Sequence, residues 1–155
     1  MPSGITFHKE NFTQSIPRVS PASNTRLWTG RILSGIIIVF LLFDGIIKLI
    51  PIAPVIETMQ HLGYSGDITP VARGLGILTL VIVVLYGIPR TAILGAILLT
   101  GLMGGAMATH LRVGSPLFTH LLFGLYLGLM AWGGLYLRDD RFRAMIPLAS
   151  EKTDV

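Results

Sequence analysis

Cysteine is absent from the 155-residue sequence, which excludes an internal disulfide, a thiolate nucleophile and a thiolate metal ligand. Charged residues are scarce as well: they make up 13% of the chain, against about a quarter of a typical soluble domain. There is no closely spaced histidine pair, nucleophile elbow or phosphate-binding loop, so the sequence predicts no metal site and no catalytic residue of those types. Hydrophobic residues dominate instead, at 52%.

Most of the hydrophobic residues fall in four segments, at 32–50, 70–88, 91–111 and 116–137. Each segment is close to the ~20 residues that cross ~30 Å of hydrocarbon as an α-helix. They predict an all-α fold, an integral membrane four-helix bundle formed by one domain at 27–147. The polar stretches at 1–26 and 148–155 predict disordered tails, and the first has no apolar core typical of a signal peptide.

Basic residues are divided unevenly between the two ends of these segments. The poorer side has Arg112, with Lys48 and Arg73 near the membrane boundary. Because the richer side faces the cytoplasm in most membrane proteins, both termini are predicted inside, in a bacterial plasma (inner) membrane. Membrane orientation accounts for these charges, so nucleic acid is not predicted as a partner. The richer side collects Lys9, Arg18, Arg26, Arg31, Arg90, Arg138, Arg141, Arg143 and Lys152.

The first outer loop contains a short helical pattern after two prolines, at positions 51 and 54. Its apolar residues, Val55, Ile56, Met59 and Leu62, recur at helical spacing. Glu57, Gln60 and His61 fall on the other side. This pattern predicts a short amphipathic helix that lies over the outer mouth of the bundle or in the interface.

Small residues recur four positions apart in the third and fourth segments. Such spacing allows two membrane helices to approach closely. It predicts packing within the bundle, and a homodimer face remains the alternative. The predicted packing residues are Gly101, Gly104, Gly105, Ala108, Gly124 and Gly128.

Polar residues in the segments gather at one depth, in the outer half. Asp44 and Lys48 are one helical turn apart, with the acid first, which favours an ion pair. A charge in a membrane is costly and usually faces the bundle interior. One interpretation is a structural ion pair that fixes the helix register. The other is a ligand pocket open to the outer side, formed by Asp44, Lys48, Arg73, Thr109, His110, Arg112 and His120.

Four stretches carry a family resemblance: IPRTAILGAILLTGLMGGAMATHLRVGSPL, FDGIIKL, ARGLGILTLV and GLYLR. On these stretches the chain, over 27–147, resembles the DoxX-like family of small four-helix membrane proteins. The family carries a lysine late in its first span, which Lys48 matches. It often has an acid after the glycines of the second span, where this sequence has Thr79.

The resemblance implies an association with membrane redox enzymes. The family takes its name from a subunit associated with thiosulfate:quinone oxidoreductase and a terminal quinol oxidase. In the first expected function, the chain is a redox-associated subunit whose pocket binds a quinone or similar amphiphile as cofactor. In the second, it is a non-catalytic membrane scaffold, or it binds a small solute or lipid. The expected partners are membrane lipids, a second copy of the chain or membrane oxidoreductase subunits.

Overall fold

The computed structural model describes residues 24–50, 52–116, 118–119 and 122–146. No β-strand occurs in these ranges, so the predicted all-α class is confirmed. Three helices, α1, α3 and α4, are long and apolar enough to cross a membrane. The predicted tails at 1–26 and 148–155 lie outside the described ranges, except for residues 24–26, which form the first turn of α1. Residue 147, the last residue of the predicted domain, also lies outside them. The helices are α1 (Asn24–Leu49), α2 (Ala53–His61), α3 (Thr69–Gly87), α4 (Ala92–Arg112), α5 (Leu122–Arg138) and α6 (Asp140–Met145).

Helix boundaries follow the prolines and one acidic cap. Pro54 and Pro70 occupy the first turns of α2 and α3, where the missing N–H of proline costs nothing. Asp139 precedes α6, and its side chain accepts hydrogen bonds from the backbone N–H groups of Arg141 and Phe142. Such caps satisfy N–H groups that have no partner within the helix.

Four helices form a closed ring: α1 packs against α3 and α5, and α4 packs against the same two helices. The short helices lie at opposite ends of this ring, and we name the two ends the α2 end and the α6 end. At the α2 end, Val55 and Met59 of α2 are buried with Ile68 and Ala72. The polar residues of α2 are exposed at Glu57, Gln60 and His61.

A hydrogen-bonded tyrosine joins three helices near the α6 end. The Tyr86 hydroxyl donates to the carbonyl oxygen of Ala131, at 2.8 Å. Because that bond uses its proton, the Ser34 hydroxyl donates to it, at 3.1 Å. The Arg138 guanidinium donates to the Tyr86 carbonyl at 2.7 Å and lies over its ring. These bonds satisfy polar groups that would otherwise destabilise an apolar interior.

Glycines permit the closest contacts between the helices of the ring. A Cβ on Gly95 of α4 would lie 2.4 Å from the backbone nitrogen of Tyr86 on α3. A Cβ on Gly76 of α3 would lie 2.8 Å from the carbonyl oxygen of Gly45 on α1. On α1 and α5, Gly30 and Gly134 are in similarly close contact with the facing helix. The helices can therefore approach only because these positions lack a side chain.

Most of the glycines that the spacing predicts as packing residues do not pack within the chain. Around Gly101, Gly104, Gly105 and Gly128, a Cβ would meet no described heavy atom within 4 Å, and Ala108 is exposed. Packing at these five residues stays a prediction, with a homodimer face as its alternative. The sixth, Gly124, lies against Met107 and Met103 of α4. The sequence missed Gly30, Gly45, Gly76, Gly95 and Gly134, although the pairs Gly30–Ser34 and Ala72–Gly76 have the expected spacing.

Candidate functional site

The two halves of α4 differ in how they meet the ring. Its buried residues, Ala92, Gly95, Ala96 and Leu99, all lie in the half near the α6 end. Beyond Leu99 no α4 residue is buried, although this second half still touches Gly124 of α5. Beside this second half of α4, toward the α2 end, lies a cavity of about 990 Å³. A volume of this size accommodates a small-molecule ligand.

The cavity is largely apolar, and its polar groups are gathered at the α2 end. All five helices α1 to α5 contribute side chains to it. Leucine, isoleucine, methionine and phenylalanine line most of its length. The polar lining residues are Asp44, Lys48, Thr58, Tyr64, Thr109 and His110. A site with a long apolar wall and a polar group at one end suits an amphiphile.

An ion pair on α1 supplies the charges of the cavity. Lys48 Nζ donates to Asp44 Oδ2 at 2.5 Å, and each side chain is about a quarter exposed (27% and 25%). Gly76 on α3 makes room for the lysine, since a Cβ there would lie 3.1 Å from Lys48 Cβ. Lysine has three N–H donors and carboxylate two oxygens. The pair therefore offers both donors and acceptors to a molecule in the cavity.

The end of α4 places a second polar group across the cavity. His110 Nδ1 lies 3.0 Å from Ser115 Oγ, and this hydrogen bond fixes the orientation of the ring. Thr109 Oγ1 donates to the Gly105 carbonyl one turn earlier, at 2.9 Å. The structure thus brings together four of the residues predicted for the pocket: Asp44, Lys48, Thr109 and His110.

Two of the predicted pocket residues lie elsewhere, and a third is outside the described ranges. Arg73 does not line the cavity: it is exposed, because Ala72 and Gly76 occupy the buried face of α3. Arg112 is also exposed, and its guanidinium donates to the Leu62 carbonyl at 2.7 Å. The structure does not bring Arg73 or Arg112 to this cavity, and their place in a ligand pocket stays a prediction. His120 is not among the described residues.

The sequence also missed part of the lining. Thr58 on α2 and Tyr64 in the loop after it line the cavity. Neither residue has a fixed sequence spacing to the lining residues of α1 or α4, so the sequence pattern could not relate them. Gly101 and Gly105 line the cavity, and the side chains they lack leave it open. Thr79 is buried and donates to the Leu75 carbonyl of its own helix, at 2.9 Å, away from the cavity.

Removing one charge of the ion pair is expected to destabilise the protein more than removing both. An exposed pair contributes about 0–1 kcal/mol, whereas breaking a fully buried one costs roughly 3–5 kcal/mol. For this partly buried pair we expect Lys48→Met to cost about 2 kcal/mol, between those limits. Lys48→Met combined with Asp44→Asn is expected to recover part of that loss. Melting temperatures in detergent measure both.

Arg73→Met is the matched control, because it removes an exposed cation near the same end of the ring. Its melting temperature is expected to stay at the wild-type value. Additive effects of the Lys48 and Asp44 changes would show that the two side chains do not interact.

Among the described residues, no group of three His, Cys, Asp or Glu side chains is placed to hold a metal ion. A family model described as the DoxX-like family matches residues 32–134. No curated protein and no solved structure matches the sequence. The matched range includes the Asp44–Lys48 pair and both halves of α4.

Proposed function

The chain belongs to the DoxX-like family, and from this membership and the cavity we propose that it binds a quinone or similar amphiphile within a membrane. The cavity is the observation that supports the proposal. It combines an apolar length with the Asp44–Lys48 pair and His110 at one end. A quinone has two carbonyl oxygens that accept hydrogen bonds, which lysine and histidine can donate. Its hydrocarbon tail matches the apolar wall.

We further propose that α5 is a fourth membrane span beside α1, α3 and α4, so that the ring is a four-helix membrane bundle. The basic residues support an orientation with the α6 end in the cytoplasm of a bacterium. At that end lie the beginning of α1, the turn between α3 and α4, the end of α5, and α6. They carry Arg26, Arg31, Arg90, Arg138, Arg141 and Arg143. The cavity then lies in the outer half of the membrane.

In this function the chain is a subunit that holds the quinone for a membrane oxidoreductase. The sequence has no cysteine and thus cannot exchange electrons through a thiol pair of its own. In this proposal a partner subunit supplies the electrons, while Lys48 and His110 position the quinone head. The quinone head would exchange protons with Asp44 and His110, which line the polar end of the cavity.

A second candidate, a lipid-binding membrane protein without a redox role, is favoured by the charges themselves. Lys48 and Asp44 present opposite charges side by side in the cavity. A zwitterionic head group carries a phosphate and an amine, which pair with a cation and an anion respectively. A quinone is uncharged and would form no ion pair with either side chain.

Titration of the purified protein followed by native mass spectrometry distinguishes the two candidates. One arm uses a short-chain ubiquinone analogue and the other uses lysophosphatidylcholine. We expect one quinone molecule per chain at concentrations where lysophosphatidylcholine does not bind. Preference for lysophosphatidylcholine would support the lipid-binding alternative. If neither compound binds, the proposed function is wrong.

Cysteine labelling in intact cells tests the proposed orientation. A cysteine introduced at Ser65, between α2 and α3, is expected to react with an impermeant maleimide added outside. Cysteines at Ser3 and at Ser150 are expected to react only after the membrane is opened. Because the sequence has no cysteine of its own, each reaction reports one position. Labelling of either terminus from outside would contradict the orientation.

A further inference from the structure

Helix α2 and the loop after it lie at one end of the cavity. Helix α2 crosses this end of the ring, and its residues Pro54, Val55, Thr58 and Met59 form part of the cavity wall. Beyond α2, the Leu62 carbonyl accepts the hydrogen bond from Arg112 at the end of α4. This bond joins the α2 region to α4 across the end of the cavity. The α2 helix and the loop after it therefore lie between this end of the cavity and the water beyond it.

The side of the cavity between α3 and α4 is open. Leu78 of α3 and Ile97 and Leu98 of α4 line the cavity, yet they are 40%, 54% and 37% exposed. The two helices are in closest contact at Tyr86 and Gly95, near the α6 end. Beyond that contact, the last buried residue of α4 is Leu99.

Two glycines on α4 widen this gap. Leu98, Gly101 and Gly105 are three and four residues apart, so they lie along one face of the helix. All three line the cavity, and neither glycine has a Cβ to close the space. On the opposite side, the rings of Phe40 on α1 and Phe123 on α5 are in edge-to-face contact, with their centroids 5.4 Å apart.

The gap and the polar group lie at different depths. Ile97 at the gap and His110 at the polar end are about 20 Å apart along α4, at ~1.5 Å of rise per residue. In a membrane, the gap between α3 and α4 therefore lies within the hydrocarbon, and the polar end is near one surface. A molecule with its head beside Asp44 and Lys48 would extend its chain toward the gap.

We infer that the amphiphile enters and leaves sideways from the lipid, through the gap between α3 and α4, and not from the water beyond α2. Bound in the cavity, it has the orientation of a lipid in the leaflet on the α2 side, with its tail reaching the bilayer through the gap. This inference rests on the proposed function. It restricts the ligand to a molecule that is dissolved in the bilayer.

Spin-label accessibility tests the route without any ligand. Nitroxide labels are attached to Gly105→Cys in the cavity, to Gly104→Cys on the lipid-facing side and to Ser65→Cys in the loop beyond α2. A Cβ at either glycine meets no described atom, so both variants are expected to fold. Collisions with oxygen, which concentrates in lipid, are compared with collisions with nickel ethylenediaminediacetate, which stays in water. Gly105 is expected to resemble Gly104, with frequent oxygen and rare nickel collisions.

Two outcomes overturn the inference. Frequent nickel collisions at Gly105, as at Ser65, would show that the cavity opens to water beyond α2. Rare collisions with both reagents would show a closed cavity. Failure of the proposed function gives a different pattern: Gly105 still resembles Gly104, but neither the quinone analogue nor lysophosphatidylcholine binds.

A pair of leucines on α4 locates the gap. Leu98 lines the cavity, whereas Leu94, one turn toward the α6 end, is exposed but does not line it. Leu98→Trp is expected to lower the oxygen collisions of the label at Gly105 and to leave those at Gly104 unchanged. Leu94→Trp is expected to change neither. An equal effect of both tryptophans, or no effect of Leu98→Trp, would place the opening elsewhere and contradict the inference.

Discussion

Replacing Gly95 with leucine is expected to leave little or no folded protein. A Cβ at this position would lie 2.4 Å from the nitrogen and 2.6 Å from the Cα of Tyr86. Both are backbone atoms, so α3 and α4 would have to separate to relieve the overlap. The separation would also strain the hydrogen bonds that Tyr86 makes with Ser34 and Ala131. In a closely packed interior such strain is costly.

Gly104→Leu is the matched control for this change. It is the same substitution on the same helix, but a Cβ at Gly104 would meet no described heavy atom within 4 Å. Its yield and melting temperature in detergent are expected to match those of the wild type. If Gly95→Leu melted at the wild-type temperature, α3 and α4 would not meet at Tyr86, and the ring would need a different arrangement.

Replacing Gly105 with leucine is expected to weaken the binding of the quinone analogue strongly without destabilising the protein. Gly105 lines the cavity, and a side chain there would occupy the space between α3 and α4. We expect affinity to fall at least about tenfold, or ~1.4 kcal/mol. Gly104→Leu again serves as the control and is expected to bind normally. Titration under native mass spectrometry measures the affinities, and the melting temperature establishes that each variant is folded.

This expectation is the opposite of the one that the glycine spacing alone would give. Packing of Gly105 within the bundle would make Gly105→Leu destabilising, with loss of binding as a secondary effect. A melting temperature well below that of Gly104→Leu would therefore show that Gly105 is in a close helix contact. Unchanged binding in a folded Gly105→Leu protein would show that the ligand lies elsewhere.

The helices were predictable because their length and hydrophobicity are dictated by the membrane. Segments 32–50, 70–88 and 91–111 correspond to α1, α3 and α4. Prolines and glycines marked the turns between them. The Asp44–Lys48 contact followed from helical spacing alone, since residues four apart lie on one face. Local rules were sufficient for each of these features.

The faces of the helices were not predictable in the same way. In a soluble helix, the buried side is apolar and the exposed side is polar. In a membrane helix, both the lipid-facing side and the packed side are apolar, so hydrophobicity does not distinguish them. Gly95 and Gly104 therefore look alike in the sequence, although one meets Tyr86 and the other meets no described atom.

The cavity lies beside the half of α4 that has no buried residue, and its shape depends on how all four helices pack together. No residue pattern within α4 encodes that shape. Arg73 shows the same limit: its depth along α3 was predictable, but its direction depended on Ala72 and Gly76 facing α1 and α2. Lys48, Arg73 and His110 were predicted at one depth, but only Lys48 and His110 line the cavity.

The most direct measurement is the mass of the molecule that remains with the protein when it is purified in lipid nanodiscs. The wild type and Gly104→Leu are expected to retain one quinone or similar amphiphile per chain in native mass spectra. Gly105→Leu, although folded, is expected to carry none. An empty wild-type protein, or equal occupancy in all three proteins, would contradict the assignment of the cavity lined by helices α1 to α5 as the binding site.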